Sequence, residues 1–176
     1  MADSHRIALD AATLSDAPLL SNLLELYIHD LSEVFHDVEL GADGRFGYDE
    51  LPLYWSEGEH RFAFLIKLDQ RVAGFVLATR GSPASDDPDV FDIAEFFVIR
   101  RHRRSGVGRR AAFLVWNGLP GKWTVRVSEG NLIGLRFWSG VIAEFTSGTA
   151  TESNCPGQPH AWRVFSFEST PGNLPG

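Results

Sequence analysis

Between Asp92 and Ala112 the chain reads D-I-A-E-F-F-V-I-R-R-H-R-R-S-G-V-G-R-R-A-A, an order of events that few folds can accommodate. An apolar strand ends at Ile99, an arginine-rich turn follows, and Gly106-Val107-Gly108 opens a helix. Glycines let backbone N–H groups approach a ligand closely, and the helix N-terminus adds a partial positive charge, so this junction is built to cradle an anion. Six of the 16 basic residues (Arg100, Arg101, Arg103, Arg104, Arg109 and Arg110) fall within eleven positions around it. A charge run usually marks a solvated face. Its coincidence with a glycine turn between strand and helix favours the cradle.

At 176 residues the chain is expected to form one domain, residues 1–168, with a loose tail over 169–176. Apolar residues make up 44%, with 13 Phe and 5 Trp, which predicts a packed core. The first residues lack the apolar centre of a signal peptide, no apolar run approaches the ~18 residues of a membrane span, and the single cysteine excludes an internal disulfide. A cytoplasmic protein is the expectation. The net charge of -7 argues against general nucleic-acid or anionic-membrane binding. The histidines show no ligand spacing, so no metal is expected, and Cys155 reads as an incidental thiol rather than a nucleophile.

Arg6 to Ala11 reads as a first strand, and Ser15-Asp16 offers an N-cap to a helix carrying Leu19, Leu20, Leu23, Leu24, Tyr27 and Ile28. A looser helical or irregular region covers 32–55. Strands over 61–68 and 71–79 flank Asp69-Gln70 at hairpin spacing, although Asp-Gln is not a favoured two-residue turn. A loop over 81–89, a strand over 90–99, a helix over 107–116 and a strand over 123–127 follow. A helix over 131–139 comes next. Two last strands are expected over 141–146 and 162–167, around a polar loop containing Cys155.

Three glycine-loop patterns compete for the central segment. A nucleotide P-loop needs G-x-x-x-x-G-K-[ST], and the chain has no Lys-Ser or Lys-Thr. Gly106-Val107-Gly108-Arg109-Arg110-Ala111 satisfies G-x-G-x-x-A, but six polar residues separate it from its strand and hairpin strands precede it. The third pattern accounts for more residues. Arg103-Arg104-Ser105-Gly106-Val107-Gly108 resembles R/Q-x-x-G-x-G/A, the pyrophosphate loop of the GNAT superfamily of N-acetyltransferases. Val98 stands in the place of that family's strand-four valine, and Asn131-x-x-Gly134-x-x-Phe137-Trp138 resembles its N-x-x-A-x-x-F-Y helix. The segment also looks like a group of uncharacterised bacterial acetyltransferases.

The resemblance implies an α/β (α+β) fold with a mixed, mostly antiparallel sheet of six to seven strands, about four flanking helices, and a splay between strands four and five. It implies acetyl-CoA as donor. The pantetheine arm would lie along Phe97, Val98 and Ile99, and the pyrophosphate on backbone N–H groups of Arg104, Ser105, Gly106, Val107, Gly108 and Arg109. Arg103 would open the loop, and Asn131 would meet the pantetheine, act as an N-cap, or do both.

Direct transfer to an amine in a ternary complex needs a base, a polarised carbonyl and a proton for the departing thiolate. Asp92 and Glu95 are the candidate bases, and each also reads as a structural carboxylate paired with an arginine. Three residues apart, they face opposite sides of an ideal strand unless a bulge intervenes. Trp138 stands where the family often has a tyrosine, and an indole N–H does not donate its proton in ordinary acid catalysis. It is either a wall beside the pantetheine or core packing.

For the acceptor, the resemblance points to the first two helices and the last hairpin. Acids interleaved with aromatics there, with Tyr27, Glu33 and Tyr54 foremost, suit a small cationic amine, although an acidic surface over core aromatics gives the same pattern. Two other functions stay open: an acyl-CoA-binding sensor without turnover, and a nucleic-acid contact through the arginines, which one cluster in an acidic chain disfavours. Homodimers are common among similar proteins.

Overall fold

A computed structural model describes residues 6–157 and 159–170. Its seven strands form one sheet in the order β1-β2-β3-β4-β5-β7-β6. They are β1 (Ile7–Ala11), β2 (Arg61–Leu68), β3 (Arg71–Arg80), β4 (Phe91–Val98), β5 (Gly121–Ser128), β6 (Thr151–Cys155) and β7 (Trp162–Ser169). Every neighbouring pair is antiparallel except β4 and β5. The helices are α1 (Ala17–Leu31), α2 (Leu53–Ser56), α3 (Val107–Gly118) and α4 (Leu132–Phe145). The mixed sheet of seven strands with four helices is the expected architecture.

Alternation along the strands divides the core in two. Phe75 and Leu77 of β3 join Leu20, Leu23 and Leu24 of α1 and Tyr54 of α2 on one face. Val76 and Ala78 meet Val107, Ala111, Trp116, Trp138 and Ile142 of α3 and α4 on the other. Among the described residues no helix is long and apolar enough to cross a membrane.

The β2–β3 hairpin turns on Asp69 and Gln70, both left-handed, with φ 48° and 69°. That is the twist a two-residue hairpin requires, adopted without the usual Asn-Gly. The Asp69 carboxylate helps by accepting from the Arg6 N–H at 2.8 Å. At the start of α1, Asp16 occupies the N-cap position, but its carboxylate turns back to accept from Thr13 N–H at 2.8 Å.

Two expectations need correction. Residues 141–146 are not a strand: α4 runs through Phe145, and Trp138, Val141, Ile142 and Phe145 form its buried stripe. The β-branched and aromatic content of V-I-A-E-F-T suggests a strand, yet burial against α3 and β7 at helical spacing prevails. Cys155 does not lie in a loop but ends β6, whose five residues are all exposed. With no apolar alternation, that edge strand is held by its ladder to β7. Ser169 ends β7 and is buried, Thr170 is exposed, and 171–176 of the expected tail lie outside the described residues.

Candidate active site

β4 and β5 pair at only three positions, Phe91–Trp123, Asp92–Thr124 and Ile93–Val125, and then part. Beyond the last pair, β4 continues to Val98 against β3, and β5 to Ser128 against β7. The cleft between them begins where the β3–β4 register slips between Leu77 and Ala78, leaving Ala94 as the extra residue of a bulge. A bulge bends its strand and sharpens the twist. On the α3 and α4 face of the sheet, the Phe96 ring packs against Phe137 and Trp138.

The anion cradle closes the far end of the cleft. Arg100–His102 forms a single turn, Arg104 adopts φ 59°, and Gly106 adopts φ 82° immediately before α3. Gly106 suits that conformation because it carries no Cβ, and a Cβ built there would project into open space. Gly108 allows close approach instead: a Cβ would stand 3.2 Å from the Phe137 ring. Arg110 N–H donates to Gly106 at 3.0 Å. Among the described residues, none accepts a backbone hydrogen bond from the N–H groups of Arg104, Ser105, Gly106, Val107, Gly108 or Arg109. Those donors are what a phosphate needs.

The arginines divide into two sets. Arg103 donates from Nε to the Val98 carbonyl at 2.7 Å and from Nη2 to Asp30 at 2.6 Å, and its guanidinium covers the Phe97 ring. Arg100 grips the same carboxylate, also at 2.6 Å. Partial burial opposes ionisation of Asp30, but these arginine hydrogen bonds prevail and hold its carboxyl below the ordinary value. Arg109 is tied to Glu144. Among the described residues Arg101, Arg104 and Arg110 make no ion pair, and they are the cations left for a ligand. Ser105 turns its hydroxyl to the His102 carbonyl. Ile99 N–H bonds Ala73 on β3, so by alternation the Val98 backbone groups face the cleft. Arg103 therefore occupies one acceptor there.

The bulge decides the carboxylates. Asp92 pairs with Thr79 and Glu95 with Leu77, two positions on the same face of β3, so both acids emerge on the α1 side. Asp92 is fully buried. Its Oδ2 accepts from Arg126 Nη2 at 2.8 Å, and its Oδ1 accepts from Arg126 Nε at 3.1 Å, Thr124 at 2.7 Å and Ser82 at 3.2 Å.

Glu95 instead lines a cavity of about 620 Å³, with Tyr48, Tyr54, Thr79 and Arg126. Burial pushes its carboxyl up, while hydrogen bonds from Tyr27 and Tyr48 and the Arg126 charge act against the rise. Tyr48 donates to Glu95 Oε1 at 3.2 Å. Burial, then the Glu95 charge, pushes Tyr27 and Tyr48 up, so both hydroxyls keep their protons. The Tyr54 hydroxyl faces Tyr48 and Arg61 without completing a hydrogen bond. Asp49 and Glu50 add negative charge to the lining, and Arg61 is tied to Glu50 and Glu57.

A parallel pair that parts beside a bulge, with a strand–turn–helix cradle at its end, is joined by a direct match: the model of the acetyltransferase (GNAT) family fits residues 22–115. The chain belongs to the GNAT family. Among solved structures, an acetyltransferase from Thermus thermophilus superposes with a TM-score of 0.63 at 19% identity, covering 92% of this chain and 97% of its own. The protein yncA of Salmonella typhimurium, solved with its cofactor acetyl-CoA, gives 0.64 at 11% identity over 97% and 98%. Spermidine N-acetyltransferase of Vibrio cholerae, solved with CoA and spermine, gives 0.62 at 13% over 93% and 95%. At these identities the likeness is one of fold. No curated protein matches the sequence.

Within this GNAT chain the fold brings Glu95, Tyr27 and Tyr54 together, and leaves Glu33 exposed on the segment after α1. Asn131 is the N-cap of α4, accepting from Gly134 N–H at 2.9 Å. Trp138 is buried among Phe96, Trp116 and Phe137. Sequence reasoning overlooked Arg126, Thr79, Ser82 and Thr124. One signal existed: in W-T-V-R-V, Thr124 and Arg126 alternate with Trp123, Val125 and Val127, which marks a polar face opposite the apolar one.

Proposed function

We propose that this GNAT protein transfers the acetyl group of acetyl-CoA to the primary amine of a small cationic acceptor, by direct attack in a ternary complex with Glu95 as base. The observation that carries the reading is the position of Glu95. It sits at the bulge where β4 leaves β5, in the wall of the cavity, with its carboxyl pushed up by burial toward the range a general base needs. Asp92 has its acceptor positions filled by Arg126, Thr124 and Ser82, which favours a supporting part for it.

Acetyl-CoA fits the donor side on three counts: the six N–H groups of 104–109 lack acceptors among the described residues, Gly106 leaves room, and Arg101, Arg104 and Arg110 are available for a phosphate. When bound, it supplies the thioester. Glu95 takes a proton from the acceptor's ammonium group, which frees the neutral amine to attack. Trp138 is packed in the core and its indole is no acid, so the thiolate receives its proton from water or from the one the amine releases.

The acceptor leaning rests on charge. Arg61 pairs with Glu50 and Glu57 and Arg126 with Asp92, while Asp49 and Glu95 make no salt bridge among the described residues and face the same space as Tyr48 and Tyr54. A panel of amines with acetyl-CoA and thiol detection tests it. Turnover of diamines and other cations supports the reading, and preference for carboxylate-bearing acceptors contradicts it. CoA binding with no release across the panel would favour the non-catalytic sensor.

A further inference from the structure

We propose that Arg126 is a positioning residue for the transfer: Asp92 clamps it across the splay so that its guanidinium stands beside the Glu95 carboxylate as a fixed counter-charge. The proposal rests on Glu95 being the base.

Arg126 comes from β5 and Asp92 from β4, so their bidentate pair spans the strands near the point where they part. The pair is oriented. Asp92 is sealed, with its side chain 0% exposed, while that of Arg126 is 24% exposed and lines the cavity. Thr124 and Ser82 fill the remaining acceptor positions of Asp92, and the Trp162 ring lies 5.8 Å from the guanidinium. Arg126 is therefore fastened by Asp92 while it shares the cavity wall with Glu95.

The groups facing Glu95 come from several elements. Tyr27 approaches from α1, Tyr48 and Glu50 from the segment before α2, and Tyr54 from α2. The tyrosines donate or pack, and Glu50 opposes ionisation. Arg61, the other cation in the cavity lining, is spent on Glu50 and Glu57. Arg126 is the cation that offsets the burial of Glu95. Stability gives weak reason for such a pair, because a buried ion pair is often replaceable by apolar side chains at no loss. A task at the site gives a stronger one.

Removing Arg126 alone strands a buried Asp92 charge, so Arg126→Met is to be compared with the double variant Asp92→Asn/Arg126→Met, which leaves no unpaired ion. Proteins labelled with carbon-13 at the glutamate side-chain carboxyl are titrated by NMR, the Glu95 signal being the one absent from Glu95→Gln. The expected result is a Glu95 midpoint about one pH unit higher in the double variant, the low end for losing a neighbouring opposite charge. Arg126→Lys should restore most of that shift. The acid limb of kcat/KM should move in the same direction. An unmoved midpoint in a folded double variant overturns the proposal, and so does a moved midpoint with an unmoved acid limb. Undiminished turnover by Glu95→Gln would overturn the base assignment instead, a failure the NMR midpoint separates from a failure of the counter-charge.

Discussion

Gly106 lets the donor side be tested apart from folding. Its φ of 82° costs an L-residue about 1–2 kcal/mol, and part of that is returned because a side chain restricts the unfolded chain. A Cβ at Gly106 meets nothing within 4 Å, so no clash adds to the cost. A net loss of about 1 kcal/mol corresponds to a melting temperature lower by about 2–4 °C in a chain of 176 residues. Binding should suffer far more. A tryptophan side chain at 106 would fill the concavity in front of the N–H groups of 104–109. Losing two hydrogen bonds to a charged phosphate, at about 1.5–3 kcal/mol each, weakens affinity by roughly 100-fold or more. Calorimetry with acetyl-CoA on Gly106→Trp and Gly106→Ala, beside thermal unfolding of both, measures the two effects separately. A folded Gly106→Trp that binds acetyl-CoA within threefold of the wild type would refute the reasoning.

Two further predictions concern the carboxylates. Asp30→Asn should destabilise the fold modestly at neutral pH, by at most about 1 kcal/mol, because it releases Arg100 and Arg103, whose side chains are 70% and 40% exposed. Since the Asp30 carboxyl is held below its ordinary value, its contribution is present above the ordinary range and disappears as pH falls through the lowered one; a gap from wild type that persists in strong acid would contradict the tie. Glu95→Gln should raise thermal stability at pH 7–8. The folded Glu95 carboxyl lies above its unfolded value, so this group's contribution to stability is most favourable below about pH 4 and declines as pH rises through the folded value. An advantage for Glu95→Gln that is absent at pH 8 would count against burial as the dominant influence.

The cradle was legible because its signals are local: Gly106, Gly108 and the arginines occupy one short stretch, and the left-handed turn at Gly106 follows from residue type, although that at Arg104 does not. The first five strands and the last were legible for the same reason, down to the Asp69-Gln70 hairpin that spacing alone suggested. The acid–arginine network was not. Asp92 and Arg126 are 34 residues apart, and no local rule joins them. Nor does sequence announce the bulge at Ala94, which turns two acids expected on opposite faces onto one. The misread 141–146 segment shows propensity yielding to burial, and exposed β6 shows a strand made by its neighbour.

The base assignment is tested most directly by comparing kcat/KM of wild type and Glu95→Gln, each shown to be folded and to bind acetyl-CoA, with the best cationic acceptor at pH 7–8. A loss of about 10²- to 10⁴-fold, the range typical of a general base, is the predicted result. Turnover within a few-fold of wild type would contradict the account at its centre.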